Sequence, residues 1–164
     1  MRPEILSAVT DAEAAQLTEL ARGRTVLEVG SWYGLSTVVM ARTARMVHAV
    51  DWHRGDPHAG KRETLTSFWS NLERYDVRDR VVIHVGRAEV ILPMLRPRSF
   101  DFAFLDGFHE TEAVDRDARL ILPLLRPGAL LAFHDYGRFG VRSAVDALGL
   151  PQVSLTGSLA VVAA

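Results

Sequence analysis

Residues 25–36 read TVLEVGSWYGLS, and this stretch decides the fold. Thr25 to Val29 is a short run rich in β-branched residues, of the kind found in strands covered on both faces. Gly30 to Gly34 is a tight connection. After it Leu35, Val38, Val39 and Ala41 recur at helical intervals, with Ser36 able to cap the helix. Strand, glycine turn and helix in immediate succession predict one unit of a parallel α/β sheet.

Upstream, Thr10 and Glu13 stand in capping-box spacing, and Ala14, Leu17, Leu20 and Ala21 predict a helix over Thr10 to Arg22 that Gly23 stops. Downstream the unit repeats. Met46 to Val50 is the second strand, and Arg62 to Tyr75 is a helix with Leu65, Phe68, Trp69 and Leu72 on one face, which predicts both Phe68 and Trp69 in the core. Val81 to Val85 is the third strand, followed by a short helix over Glu89 to Leu95, bent or ended near Pro93. Strands four and five are Phe100 to Leu105 and Ala129 to Phe133, separated by a helix from Glu110 to Leu122. A last helix through Val141 to Leu148 leads to a tail, QVSLTGSLAVV, that reads as a hairpin joined at Gly157 and Ser158. The prediction is a Rossmann-like, doubly wound, mostly parallel seven-stranded α/β sheet with a C-terminal antiparallel hairpin. All connections but Trp52 to Lys61 are short, with no linker or repeat, so residues 1–164 are expected to form one domain.

Composition narrows the function. The chain has 164 residues, 48% of them apolar, enough to bury roughly 70% of its unfolded surface. Nineteen Lys and Arg against 20 Asp and Glu give a net charge of −1, without the excess that tight sequence-independent phosphate binding needs, so no nucleic-acid partner is expected. The absence of cysteine excludes disulfides, thiol catalysis, Cys-ligated zinc and iron–sulfur clusters, and suits a reducing compartment. The longest apolar runs, Leu120 to Leu125 and Leu159 to Ala164, fall far short of the ~20 residues of a membrane span, and the N-terminus has no signal-peptide core. No membrane partner and a cytoplasmic location are expected.

In open parallel sheets, ligands sit beyond the carboxyl ends of the strands where the chain order reverses. The first strand's exit, EVGSWYG, places Glu28 inside the strand and Gly30 and Gly34 around the turn, with helix N–H groups able to face a polar or anionic ligand. A dinucleotide fingerprint needs a second glycine where Trp32 stands, and a P-loop needs a Lys followed by Ser or Thr, so both are disfavoured. Asp51 closes the second strand about twenty residues on, where a carboxylate can accept both hydroxyls of a ribose. Taken alone it would read as a turn cap. Trp32, Tyr33, Trp52 and Tyr136 all fall at strand exits, where aromatic walls can sandwich a planar ligand.

The succession VLEVGSWYGLST, VHAVD, VVIHVGRAEVILP, FDFAFLDGFHE and LLRPGALLAFHDY resembles a class I S-adenosylmethionine-dependent methyltransferase over almost the whole chain. The run LDG-x-H, LLRPG and HD is similar to the small-molecule O-methyltransferase-like group of macrocin and catechol type. That resemblance implies S-adenosylmethionine as cofactor, with Glu28, Gly30, Ser31, Tyr33, Gly34 and Ser36 along its methionine and ribose portion. It implies Asp51 and Trp52 at ribose and adenine, and Gly86, Arg87 and Ala88 at the adenine-binding turn. It further implies a small-molecule hydroxyl acceptor, and a divalent metal in many relatives.

Asp106 ends strand four, and His134 and Asp135 end strand five. Neighbouring strands lie ~4.8 Å apart, so these side chains can converge on one ion. In metal-dependent relatives Asp106 and Asp135 match the expected acidic positions, whereas His134 does not. Oxygen donors suit Mg²⁺, while an imidazole raises the preference for Mn²⁺, Fe²⁺, Co²⁺ or Zn²⁺. The alternative is that His134 and Asp135 fix the loop locally, while Asp106 hydrogen-bonds the cofactor's amino group without metal. His109, His134 and Asp106 are the candidate catalytic residues; His109 or His134 would collect the acceptor's proton, or His109 simply opens the next helix. His53 and His58 in the long loop either reach the ligand or form a polar connection. Two further readings stay open, a metal-dependent hydroxylase or hydrolase on the same fold and a non-catalytic S-adenosylmethionine-binding module. With about two dozen residues before strand one to cover the acceptor, a homodimer is expected to complete the pocket.

Overall fold

A computed structural model describes residues 2–56 and 60–164. Seven strands form the main sheet: β1 (Thr25–Val29), β2 (Met46–Asp51), β3 (Val81–Val85), β4 (Phe100–Leu105), β5 (Leu125–Phe133), β6 (Gln152–Thr156) and β7 (Leu159–Ala163). Among the described residues six α-helices accompany them: α1 (Asp11–Ala21), α2 (Leu35–Ala41), α3 (Leu65–Arg74), α4 (Ala88–Ile91), α5 (Thr111–Ile121) and α6 (Phe139–Ala147). The spatial order is β3-β2-β1-β4-β5-β7-β6, parallel from β3 to β5 and antiparallel through β7 and β6.

Both faces of the sheet are sealed, as the continuous apolar strands require. On one side α1, α2 and α3 bury Leu17, Val38, Met40, Phe68 and Leu72 against Phe102 and Phe104. On the other, α4, α5 and α6 bury Ile121, Val141 and Ala144 with Leu27, Phe100 and Phe133. Each fully buried Phe or Leu contributes roughly 1.5–3 kcal/mol. Among the described residues no helix is long and apolar enough to cross a membrane.

Several local expectations change. Trp69 is 39% exposed, its indole N–H donating to Glu73 and its ring under the Arg78 guanidinium, so it is not core. The core stripe of α3 is Leu65, Phe68 and Leu72; Trp69 stands one residue, or about 100°, around the helix. Ser36 does not cap α2. Gly34 is the N-cap in the left-handed region, and Ser36 points inward from the first turn. Strand β5 begins at Leu125 rather than Ala129, because Pro127 and Gly128 sit in the register shift opposite Phe100 to Phe102 instead of ending the strand. Within the long loop, Gly55–Asp56 pairs antiparallel with Gly60–Lys61.

Candidate active site

The order reverses between β1 and β4, neighbours in the sheet whose following helices, α2 and α5, pack on opposite faces. A crevice therefore opens at their carboxyl ends. Gly30 N–H donates to Val50 O at 2.9 Å and Asp106 N–H donates to Val29 O at 2.8 Å, which ties the exits of β2, β1 and β4 side by side. Gly30 has φ +90°, and a Cβ there would stand 2.1 Å from the Asp106 carbonyl oxygen, so glycine alone lets these exits meet. Gly34 surrenders its Cβ to the Phe68 ring, 2.8 Å away. Trp32 holds the position of the missing fingerprint glycine, yet its backbone takes the glycine-like φ of 47°. Its indole packs on Tyr33 with ring centroids 4.7 Å apart.

Asp51 holds this turn. Its Oδ2 accepts the N–H groups of Ser31 and Trp32 at 2.7 and 2.8 Å, and its Oδ1 accepts that of His53 at 2.6 Å. A carboxylate offers about four lone-pair sites, so room remains for one incoming hydroxyl beside the turn-holding contacts. Trp52 is exposed, with the guanidinium groups of Arg54 and Arg87 at 5.4 and 5.5 Å from its ring. Gly86 N–H donates to Asp51 O at 2.9 Å, and Arg87 caps α4 just before Ala88. These residues line the exits of β2 and β3.

Other expected residues are turned elsewhere. His53 is 3% exposed, its Nδ1 lies 2.9 Å from Thr64 Oγ1, and burial lowers its pKa; this contact ties it to the start of α3. His58 lies outside the described residues. Tyr136 points its hydroxyl to Asp146 on α6 at 2.7 Å.

Glu28 is completely buried on β1. Its Oε2 accepts the hydroxyls of Thr37 at 2.5 Å and Ser31 at 3.2 Å, while Oε1 has no hydrogen-bond partner among the described residues. Burial pushes its pKa up to about 7; the hydroxyls of Ser36, Thr37 and Ser31 restrain the shift and the nearby charge of Asp106 adds to it.

The second half of the crevice is ionic. His134 Nδ1 lies 3.2 Å from Asp106 Oδ1 and 3.7 Å from Asp135 Oδ2. His109 Nε2 lies 2.9 Å from Asp135 Oδ2 and 3.6 Å from Asp106 Oδ1, and Arg138 Nε is 3.3 Å from Asp135 Oδ2. Asp135 sits at φ 56°, a left-handed conformation that Asp tolerates. The ends of β4 and β5, with the loop after β4, thus bring together Asp106, His109, His134 and Asp135. One ligating atom from each of Asp106, His134 and Asp135 falls within 4.8 Å of the others. Two carboxylates and an imidazole at that spacing fit a divalent ion, with the nitrogen favouring Mn²⁺, Fe²⁺, Co²⁺ or Zn²⁺ over Mg²⁺.

Charge is shared tightly here. Contacts to Asp106 and Asp135 raise the His109 pKa to about 9. Burial would lower that of His134, but Asp106, Asp135 and Glu13 raise it to about 9. His109 brings Asp135 down to about 2, and the pKa of Asp106 falls despite burial because both imidazoles face it. A residue that sequence reasoning read as a helix cap alone joins the group: Glu13 Oε2 lies 3.4 Å from His134 Nε2. Its only local signal was the Thr10–Glu13 spacing.

Comparison with known proteins agrees with this geometry. Residues 27–136 match the family model described as a methyltransferase domain. The chain is 28% identical over 154 residues to the catechol O-methyltransferase of Mycobacterium tuberculosis (strain ATCC 25618 / H37Rv), covering 84% of this chain and 67% of that protein. The O-methyltransferase TomG of Streptomyces achromogenes, solved in complex with SAM, superposes with a TM-score of 0.76 at 25% identity, covering 95% of this chain and 81% of that one. An O-methyltransferase of Bacillus cereus in complex with SAH gives 0.75 at 21% identity, over 97% and 84%. The chain therefore belongs to the methyltransferase domain family, in its class I S-adenosylmethionine-dependent O-methyltransferase branch.

Proposed function

We propose that this protein methylates a hydroxyl oxygen of a small molecule, with the cofactor lying over the exits of β1, β2 and β3 and the acceptor over the exits of β4 and β5. The observation that carries the reading is the contact of Gly30 with the Asp106 backbone, which makes the glycine turn and the ionic cluster two walls of one crevice. The orphaned Glu28 Oε1 beneath the turn fits a ligand that brings hydrogen-bond donors, such as an ammonium group.

S-adenosylmethionine supplies the methyl group as a sulfonium: the acceptor's C–O bond forms as the C–S bond breaks, and the electron pair stays on sulfur. The chain's contribution is alignment, an effect worth several kcal/mol when the reacting atoms are held near contact distance. Asp51 receives a ribose hydroxyl on its remaining Oδ1 site, and Trp52 offers a face to the adenine. Asp106 and Asp135, ionised by their imidazole neighbours, accept a hydrogen bond from the acceptor's O–H, and its proton passes to solvent water as the new O–C bond forms. His109, expected to collect that proton, already carries one at neutral pH and instead donates a hydrogen bond that steadies the acceptor. A divalent ion held by Asp106, His134 and Asp135 would orient the acceptor oxygen and acidify its hydroxyl.

Calorimetry with S-adenosylmethionine and S-adenosylhomocysteine, followed by product analysis on a panel of hydroxylated small molecules with and without chelator, tests the reading. Wild type binds both, and Asp51→Ala weakens binding about tenfold or more, as expected for a lost hydrogen bond to a charged group. Asp106→Ala binds cofactor but forms no methylated product. A wild-type protein that binds neither ligand overturns the proposal.

A further inference from the structure

The first turn of α1 carries a carboxylate that this chemistry leaves unused. Glu13 is 1% exposed, and its oxygens face donors from three segments, two of them distant in sequence. Oε2 accepts the N–H and hydroxyl of Thr10 at 2.7 and 2.9 Å; Oε1 accepts the N–H and hydroxyl of Ser158 at the same 2.7 and 2.9 Å. The third segment is the end of β5, where His134 Nε2 stands 3.4 Å from Oε2. A capping box asks for one of these contacts, the return of the glutamate to the N-cap N–H. Sealing its charge from water costs several kcal/mol unless donors and opposite charge face it. The β6–β7 turn is shaped to make the seal: Gly157 takes φ +58°, and a Cβ there would lie 2.8 Å from Glu13 Oε1.

An ionised carboxylate has no hydrogen to give, so the imidazole nitrogen that faces Glu13 carries the N–H. The opposite nitrogen, Nδ1, faces Asp106 Oδ1 and Asp135 Oδ2 at 3.2 and 3.7 Å, and the proton it carries toward them is the one a bound cation displaces. We infer that Glu13 is a positioning residue: by holding His134 through Nε2–H, it presents Nδ1 as the nitrogen ligand of a divalent-cation site completed by Asp106 and Asp135. Carboxylate–histidine–metal relays of this form set the ring's orientation and raise its basicity as a ligand. The inference rests on the reading of Asp106, His134 and Asp135 as the ion-holding group.

The full chain is titrated with Mn²⁺, followed by electron paramagnetic resonance, in wild type, Glu13→Gln, Glu13→Asp and His134→Ala. Side-chain ¹⁵N–¹H spectra of the histidines, assigned with His134→Ala, are recorded on the same samples before metal is added. Glu13→Gln removes the negative charge with little change of shape; Glu13→Asp keeps the charge and withdraws it from the ring. Both are expected to bind Mn²⁺ about 10–100-fold more weakly than wild type, to displace the His134 Nε2–H resonance, and to keep S-adenosylmethionine affinity within about twofold. A Glu13 that serves only as a cap would lower the melting temperature and leave the resonance and Mn²⁺ affinity where they were, and that result overturns the inference. Wild type that fails to bind Mn²⁺ overturns the ion site and with it the ligand role of Nδ1. The resonance then reports independently whether Glu13 orients the ring.

Discussion

Two buried glutamates, Glu28 inside β1 and Glu13 in the first turn of α1, have the same side chain and nearly the same lack of solvent, yet they are driven in opposite directions. Burial carries Glu28 up to about 7, since it meets hydroxyls, one orphaned oxygen and the repulsion of Asp106. Glu13 comes down to about 2 in spite of its burial, because backbone N–H groups of Thr10 and Ser158 and both of their hydroxyls converge on it. Burial by itself does not set a carboxyl's charge. The number and type of donors around it do.

The contrast breaks first at Glu13. Glu13→Ala orphans the Thr10 and Ser158 N–H groups and strips His134 of a buried partner, and is expected to cost about 3–5 kcal/mol in urea denaturation at pH 7. The acid limb of the stability profile belongs partly to the same residue. With a folded pKa of about 2 against 4.5 unfolded, its contribution is full above pH 4.5 and disappears as pH falls toward 2, about 3 kcal/mol in all, and Glu13→Gln flattens that limb. Glu28 has the reverse sign. Its folded pKa of about 7 lies above 4.5, so its contribution is full below pH 4.5 and is lost as pH rises through 7. Glu28→Gln is therefore close to neutral at pH 4 and more stable than wild type at pH 8, by roughly 2–3 kcal/mol. Equal pH profiles for the two Gln variants would refute the comparison.

A smaller effect is expected at the sheet edge, where His48 Nδ1 and His84 Nε2 stand 3.1 Å apart across β2 and β3. Burial lowers both pKa values, and for His48 the neighbouring imidazole adds to it. Their contribution is full above the ordinary His pKa of about 6.5 and is lost as pH falls through the folded values. His84→Val should flatten the profile between pH 7 and 5. Trp69→Ala is expected to change stability least, by under about 1 kcal/mol, since the ring stands half in solvent beneath Arg78.

The strands were legible because TVLEV, MVHAV and FDFAFL are dense in β-branched and aromatic residues between turn signals, and the crevice followed from strand order alone. Trp69 was misplaced because a period count does not separate adjacent residues on the shoulder of an apolar stripe. His53 was ambiguous for a different reason: its partner, Thr64, lies across a long loop, and nothing in WHRGD shows that the ring turns inward. Glu13 was read correctly as a cap and incompletely as a side chain. Its other contacts are 121 and 145 residues away, beyond the range of any local pattern.

That span has a consequence for how the molecule comes into being. The Glu13 carboxylate waits for Ser158, so in a growing chain its Oε1 stays on water until 145 further residues have been added. Contacts between such remote residues form slowly, since a long loop must close before they repay its entropy. His134 acquires its final surroundings only then, which makes the β6–β7 turn a late-arriving wall of the ionic cluster.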